Sequence, residues 1–453
     1  MNEFSGSGKA SYKKILALSL PIALQNLVMF SLNLLDSVMV GQLGESEIAA
    51  VGQANQPFFI FMIFIYGLSC GACVLTSQYW SRGETRAIRH IFAMAMSVAL
   101  FFAVIVVGFI LAFPQTVMGF YSNDPEVIRI GASYLRYAAP SFIFSALSAS
   151  YLGSIVSVEE VKLPLKINSV ALVLNSILNY IFIFGKFGAP AMGVEGAGLA
   201  TLIARAVEFG LVITYIIFFD KRVGLRIRDF LRPSVALAKD FFKYGGTVML
   251  NEFLWAFGIS MFSVIIGRLD THIVSAYNIV VVVEKMSLAL LYGISKAAAV
   301  IVGKEVGANR FDSAYRHAKI MIAISLAAGV FASTILAVST MLIPQFFKIT
   351  AQGYAAAKVI LAVYIIFAPL NAFNSTSIVG VLRAGGDTRF ALVLDISFIW
   401  FLSIPLSVLF VYLNMPLWLI IAAMRCEEIA KLVIGVFRIR SKKWINDVTR
   451  DEY

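Results

Sequence analysis

The sequence predicts an all-α integral membrane protein in which twelve transmembrane helices form two homologous six-helix lobes. The composition indicates a membrane protein, because 60% of the 453 residues are hydrophobic and only 14% are charged, whereas soluble domains carry about 25% charged residues. The apolar residues fall in about twelve runs, each long enough to cross a hydrocarbon core of ~30 Å. In addition, the two halves of the chain resemble each other in sequence.

The first half of the chain contains six predicted spans and ends in a charged segment. The expected bounds of the spans are about 15–40, 50–78, 91–113, 127–156, 163–184 and 193–219. An Asn-Asp pair before Pro125 can cap the fourth span, and a glycine-rich sequence that starts at Gly193 opens the sixth. Residues 220–238 form the longest charged stretch and are interpreted as a cytoplasmic linker between the lobes.

The second half repeats this plan, and a polar tail closes the chain. Its six spans are expected at about 240–266, 275–302, 315–344, 354–381, 390–412 and 417–437. The predicted domains are therefore a cytoplasmic N-terminus at 1–12, an N-lobe at 13–219, the linker at 220–238, a C-lobe at 239–440 and a cytoplasmic tail at 441–453.

A turn after a lone carboxylate shows the duplication best. Asp36 precedes a glycine-containing turn, and the arrangement returns in the second half in one register, so that Gly41 matches Gly267 and Ala50 matches Ala276. Because each copy has an even number of spans, both copies enter the membrane in the same direction, and an axis along the membrane normal should relate them. Two such lobes favour transport by alternating access, and a duplicated bundle that serves only as a scaffold is the alternative.

The basic residues predict the orientation of the chain. Of the 37 Lys and Arg residues, 26 fall on one side of the predicted topology and six on the other. Short cytoplasmic loops carry such an excess, so both termini are expected in the cytoplasm. The net charge of +11 then reflects topology, and no nucleic-acid partner is expected. The first apolar run is too long for a signal peptide, so the first span should remain in the mature protein.

The residue types on which enzymes depend are not clustered. His90, His272 and His317 fall in loops or at span ends, and no glycine-rich phosphate loop with Lys and Ser or Thr is present. The sequence therefore predicts neither an enzyme nor a cofactor. Cys70 and Cys73 have redox-motif spacing, but they lie in an apolar run, where small residues pack helices together.

Four polar residues are expected at one depth in the N-lobe. Asp36 lies about one turn below the outer surface in span one. Asn175 and Asn179 share one face of span five, and Thr201 lies near the outer end of span six. Carboxylate, amide and hydroxyl oxygens at matching depth could form a site for a hard cation such as Na⁺, or a hydrogen-bonded proton site. Alternatively, the two Asn and the Thr only hold helices together.

Ionisable residues within the other spans are costly unless they are paired or functional. Glu252 is expected near mid-membrane, and the linear sequence gives it no nearby basic partner, so it is interpreted as a proton carrier or as a group that hydrogen-bonds a neighbouring helix. Arg205 can pair with Glu208 on one helix face, and Lys431 can pair with an acid at 427 or 428. The roles of Glu284 and Asp395 stay open.

Several motifs resemble the multidrug and toxic compound extrusion (MATE) family, in its NorM-like and DinF-like branches. They are Pro-Ile-Ala-Leu-Gln-Asn from Pro21, Asp-Ser-Val-Met-Val-Gly-Gln-Leu-Gly from Asp36, Glu-Gly-Ala-Gly-Leu-Ala-Thr from Glu195, and Val-Leu-Arg-Ala-Gly-Gly-Asp-Thr from Val381. The resemblance implies a V-shaped pair of six-helix lobes that export cationic or amphipathic compounds in exchange for Na⁺ or H⁺.

The resemblance also implies site residues. Family members place a cation site at positions matching Asp36, Asn175, Asn179 and Thr201, and some have Asp at the position of Asn179. The NorM-like branch has Glu at the position of Glu252 and a carboxylate in span ten. This chain has Asn371 and Asn374 in that region, so the resemblance implies an incomplete ion site in the C-lobe.

The protein is expected to be a monomer in the cell membrane, and its expected partners are the lipid bilayer and a small organic substrate. A flippase for a lipid-linked precursor, from the same superfamily, is the first alternative. Such proteins often carry extra spans and a cationic cavity, whereas this chain has twelve predicted spans and acids within them. A membrane enzyme is the second alternative, and the absence of a catalytic cluster in the sequence argues against it.

Overall fold

A computed structural model describes residues 21, 24, 39–40, 42–122, 124–231, 234–346 and 350–449. Most of the predicted first span lies outside these residues, including Asp36, and so do the N-terminal segment 1–12 and residues 450–453 of the tail. Where the chain is described, its regular structure is helical, with one isolated antiparallel bridge between Gly386 and Ile445.

The helices of the first half follow spans two to six. The predicted fourth span is two helices, with Pro140 between them, and Asp124 caps the first of these by accepting a hydrogen bond from the Glu126 N–H at 2.8 Å. The predicted linker contains two short helices. The bounds are α1 (Glu45–Ser81), α2 (Thr85–Ala112), α3 (Pro114–Gly119), α4 (Pro125–Ala138), α5 (Ser141–Ser154), α6 (Lys162–Phe184), α7 (Val194–Phe218), α8 (Ile227–Leu231) and α9 (Val235–Asp240).

The second half follows the predicted spans with more interruptions. Its helices are α10 (Gly246–Ile266), α11 (Thr271–Ser287), α12 (Ala289–Gly307), α13 (Phe311–Phe346), α14 (Ala351–Ser375), α15 (Thr388–Phe398), α16 (Ile404–Tyr412), α17 (Leu417–Arg425) and α18 (Glu427–Arg440). Three π-helical segments, Phe241–Gly245, Thr376–Leu382 and Ile399–Ser403, lie before α10, after α14 and between α15 and α16.

Within the described ranges, nine helical stretches are long and apolar enough to cross a membrane, and α11 with α12 makes a tenth that is bent by 46°. The pair α17 and α18 is not among them, because it is broken at Cys426 and carries Arg425, Glu427, Glu428 and Lys431. The predicted twelfth span is therefore the one in which charge concentrates.

Two compact units make up the chain. The first holds the described residues of Gln25–Ala72 and Glu84–Phe241, and the second holds those of Met1–Leu24, Cys73–Gly83 and Phe242–Glu452. The C-terminal end of α1 therefore groups with the second half of the chain. The duplication is visible in the backbone, because Gly83 and Asn309, which correspond in the repeat, both have positive φ angles, 73° and 58°, after the helices α1 and α12.

Helix α2 buries one face of small residues and exposes large apolar side chains elsewhere on its surface. Ala95, Ala99 and Ala103 recur every four residues and are buried, whereas Phe101 and Phe109 on the opposite face are more than half exposed. Small residues permit close helix approach where lipid supplies no hydrophobic drive. Large apolar side chains on the outer face are suited to contact with hydrocarbon.

The described part of the C-terminal tail is packed within the second unit. Trp444 is fully buried, and Asn446 donates its N–H to the Gly385 carbonyl at 2.7 Å. The Gln78 amide at the end of α1 donates to the Ala384 carbonyl at 2.9 Å and accepts from the Val448 N–H at 2.9 Å. The sequence predicts only a polar tail at this place, and these backbone contacts make it part of the fold.

Candidate functional site

In the first unit, close helix packing positions the predicted cation-site residues. A Cβ atom at Gly196 would lie 2.6 Å from the Phe182 carbonyl oxygen, and one at Gly198 would lie 3.0 Å from the Tyr134 carbonyl oxygen. Both contacts favour glycine, since real Cβ atoms rarely approach so closely. The glycine-rich start of α7 therefore lets α7 lie directly against α6 and α4, and this brings Thr201 to the polar face of α6.

The structure brings Asn175, Asn179 and Thr201 together as predicted. Asn179 donates its Nδ2–H to Asn175 Oδ1 at 3.3 Å, Asn175 donates to Thr201 Oγ1 at 3.5 Å, and Thr201 donates to the Ala197 carbonyl at 3.0 Å. Both Asn side chains are buried. A flip of either amide would present its oxygen in place of its N–H, so the chain can offer oxygen ligands. Asp36, the predicted carboxylate of this site, lies outside the described residues.

In the second unit, Glu252 has a basic partner, which corrects the expectation drawn from the linear sequence. Arg383 Nη1 donates to Glu252 Oε1 at 2.5 Å, and Nη2 of the same guanidinium lies 3.7 Å from Asp395 Oδ2. All three residues are buried. The partner is distant along the chain, and Arg383 lies just after the expected tenth span, so only the tertiary fold reveals the pair.

Lys431 continues this series of charges. Its Nζ lies 2.8 Å from Asp395 Oδ1 and 3.4 Å from Glu427 Oε2, so the predicted pairing within α18 is present and a second acid is added. We call Glu252, Arg383, Asp395, Lys431 and Glu427 the ion row. Acids and bases alternate along it, and all five residues are buried.

Two further charged groups lie in the same unit. Glu428 accepts hydrogen bonds from Asn371 Nδ2 at 2.8 Å and from Asn374 Nδ2 at 2.7 Å, so the last span places a carboxylate beside the amides of α14. Glu284 accepts from Arg425 Nη2 at 2.7 Å, and the Arg425 guanidinium stacks 4.1 Å from the Tyr364 ring centroid. Glu284 and Asp395, whose roles the sequence left open, are thus both paired.

The predicted pair of the first unit is confirmed, because Arg205 Nη1 donates to Glu208 Oε2 at 2.6 Å. Sequence reasoning did not identify Arg383, the contact of Asn374 with Glu428 or the link between Lys431 and Asp395. A signal for Arg383 existed, because it lies in the family-like motif that starts at Val381, between an apolar run and small residues. No local pattern pointed to the other two contacts, which join different spans.

Tandem helical repeats with charged residues buried in their spans are typical of one class of protein, the multi-pass membrane transporters. Comparison with known proteins gives the family. The profile of the MatE family matches residues 21–181 and 248–409, once in each half. Because this match covers well over half of the chain, the protein belongs to the MatE family, and it is a transporter and not an enzyme, as predicted.

Similar proteins agree with this assignment. The probable multidrug resistance protein NorM of Agrobacterium fabrum is 24% identical over 417 residues, which cover 89% of this chain and 88% of that protein. The NorM protein of Thermotoga maritima is 24% identical over 433 residues, with coverage of 95% and 93%. The crystal structure of a Vibrio cholerae MATE transporter superposes with a TM-score of 0.87 at 17% identity, and covers 96% of this chain and 98% of that one. The predicted membrane fold is confirmed.

Proposed function

We propose that this transporter exports cationic or amphipathic organic compounds across the cell membrane in exchange for Na⁺ or H⁺. Alternating access of the lobes at 13–219 and 239–440 would carry the exchange. The observation that carries the proposal is the charge balance of the ion row: its three buried acids, Glu252, Asp395 and Glu427, are matched by two bases, Arg383 and Lys431.

An excess of carboxylates within this row favours the binding of cations from outside the chain. An ionised carboxylate without a compensating charge is costly in a membrane span. A proton or a Na⁺ ion should therefore bind to such a carboxylate, and it should leave when a basic side chain or a cationic substrate takes its place. In the first unit, Asn175, Asn179 and Thr201 supply the uncharged part of a second site that Asp36 would complete. Coupling would then consist of competition between cations for the same oxygens.

The same charge balance favours an organic cation over an anionic lipid precursor as the substrate. Lipid-linked precursors carry phosphate groups, and the additional acid of the ion row would disfavour them. The matched relatives from Agrobacterium fabrum and Thermotoga maritima are named for multidrug resistance, which is compatible with export of amphipathic compounds. The flippase alternative is therefore the weaker proposal.

The proposed orientation places both termini in the cytoplasm, because 26 basic residues lie on one side of the predicted topology. Single cysteines at Gly8, Ser46 and Arg226, introduced into a cysteine-free protein, test it. Only the cysteine at position 46 should react with an impermeant thiol reagent added outside intact cells. Labelling at position 226 under the same conditions contradicts this orientation.

Purified protein in vesicles tests the function directly. Efflux of a fluorescent organic cation is measured with a Na⁺ gradient and a pH gradient imposed separately, and at least one gradient should drive it. Asp36→Asn and Glu252→Gln should lose driven transport while retaining substrate binding, because each removes a charge but preserves size and hydrogen bonding. Gradient-independent transport by the natural protein would refute coupling, and full activity of either variant would remove that residue from the mechanism.

A further inference from the structure

Each base of the ion row lies between two acids at unequal distances, and in both cases the nearer acid is the one on the Glu252 side. Arg383 is at 2.5 Å from Glu252 but at 3.7 Å from Asp395. Lys431 is at 2.8 Å from Asp395 but at 3.4 Å from Glu427. Each base therefore lies nearer to the acid on the Glu252 side. A displacement of about 1 Å at each base, which is a side-chain movement, would reverse both preferences.

The charge of the ion row fits this arrangement. Three acids alternate with two bases, so the row carries one uncompensated negative charge when all its groups are ionised. In the observed positions the weakly compensated acid is Glu427. If Arg383 moved closer to Asp395 and Lys431 moved closer to Glu427, the weakly compensated acid would be Glu252. A single cation can thus neutralise the row at either end, depending on the position of the bases.

The backbone around the row contains three irregular segments. The π-helical segment Phe241–Gly245 precedes the helix of Glu252, Thr376–Leu382 ends directly before Arg383, and Ile399–Ser403 follows Asp395 by one turn. These are the π-helical segments of the described residues. Such segments often occur at functional sites, because their looser hydrogen bonding allows a helix to shift register. Glu252, Arg383 and Asp395 therefore each lie close to a π-helical segment whose backbone can change its hydrogen-bond register.

The repeat gives independent support, in the same register that matches the two glycine-containing turns. In that register Glu252 corresponds to Asn26. The duplicated sequence therefore carries an uncharged amide where the ion row begins, so the acid at this end of the row is not a requirement of the duplicated plan.

We propose that the ion row is a two-position charge relay, in which a coupling cation bound at Glu252 displaces Arg383 onto Asp395 and Lys431 onto Glu427. This inference rests on the proposed cation coupling. Arg383 acts as a positioning residue, since it is a resident cation that Na⁺ or H⁺ must replace at Glu252. Glu427 accepts the displaced charge and thereby sets how easily Glu252 is released. The row links α10, α15 and α18, so cation binding on one helix changes the ion pairs of the other two.

The test measures the half-saturating concentration of the coupling cation for substrate efflux from vesicles. Arg383→Gln should lower it by roughly 10- to 1,000-fold, because the competing charge at Glu252 is gone. Arg383→Lys should stay close to the natural protein. Glu427→Gln should raise it by about tenfold, because Lys431 then stays on Asp395 and Arg383 stays on Glu252. Lys442→Gln, at an exposed base that pairs with Asp312 outside the row, is the control and should change nothing in this measurement.

A double variant separates a relay from a merely structural role. Once Arg383→Gln has cut the row, the additional change Glu427→Gln should no longer alter the half-saturating concentration. If Arg383→Gln does not fold, two other results test the relay. The half-saturating concentration should still rise in Glu427→Gln, and it should stay unchanged in Arg383→Lys. Unchanged half-saturation in Glu427→Gln, with normal cation-driven efflux by the natural protein, overturns the relay alone. If substrate efflux by the natural protein does not depend on either cation, the relay and the proposed function are both overturned.

Discussion

Lys431→Met should strongly destabilise the second unit. The Lys431 side chain is 3% exposed and serves two buried acids, Asp395 at 2.8 Å and Glu427 at 3.4 Å. Methionine keeps the approximate length of the side chain but leaves both carboxylates without this base. Removal of one partner of a buried ion pair costs about 3–5 kcal/mol. We expect a loss of that size in the free energy of unfolding at alkaline pH.

The destabilisation should depend on pH in a defined direction. The folded variant holds carboxylates that lack this counter-charge, and protonation removes their charge. Folding of Lys431→Met should therefore become more favourable as the pH falls, and its deficit relative to the natural protein should shrink in mildly acidic solution. SDS titration of the purified protein in mixed micelles, followed by circular dichroism, measures the unfolding free energy at each pH.

Two variants accompany the measurement. Lys431→Met combined with Glu427→Gln restores the net charge of the ion row and should recover about half of the loss or more. Lys442→Met removes an exposed base whose partner is Asp312, and no measurable change is expected there. If Lys431→Met is as stable as the natural protein at alkaline pH, the ion pairs of the row do not support the fold as described.

Three further changes test other parts of the structure. Gly196→Ala should cost about 1–3 kcal/mol in unfolding free energy because it forces α6 and α7 apart, whereas Gly210→Ala on the same helix, with nothing within 4 Å of its Cβ, should not destabilise; equal effects would refute the packing argument. Asn179→Asp should lower the half-saturating cation concentration for efflux by adding a charge to the first-unit site, and a rise would contradict a cation-binding role there. Gln78→Ala removes hydrogen bonds to the tail and should speed trypsin cleavage after Lys443, and an unchanged cleavage rate would show that Gln78 does not hold the tail.

The sequence predicted spans two to eleven well, because the thickness of a membrane sets the length of an apolar run. It could not predict the breaks at Leu288 and Cys426, which depend on how helices pack around charged groups. The break at Pro140, inside the expected span 127–156, was not predicted either, although a local signal exists there, since proline interrupts a helix. The predicted twelfth span is where the two kinds of signal conflict, because buried ion pairs place charged residues inside an apolar segment.

The candidate site divides in the same way. Asn175, Asn179 and Thr201 were predictable because helical spacing and depth are properties of single spans. The partner of Glu252 was not, because Arg383 follows another span and lies where a basic loop residue is expected. Pairing between spans is decided by tertiary structure, and the linear sequence records only that each group is costly to bury.

The two repeats meet that cost differently. In the last span of the first half, Arg205 pairs with Glu208 on its own helix, so the first unit forms a local pair beside an uncharged hydrogen-bonded chain. In the last span of the second half, Lys431 lies between Glu427 of its own helix and Asp395 of α15, and Arg383 lies between Glu252 and Asp395. At the position that the register of the two turns relates, the first half has Asn26 and the second half has Glu252. Because one copy of the repeat carries an amide there, the duplicated plan does not require the acid, and this asymmetry supports a role of Glu252 in transport.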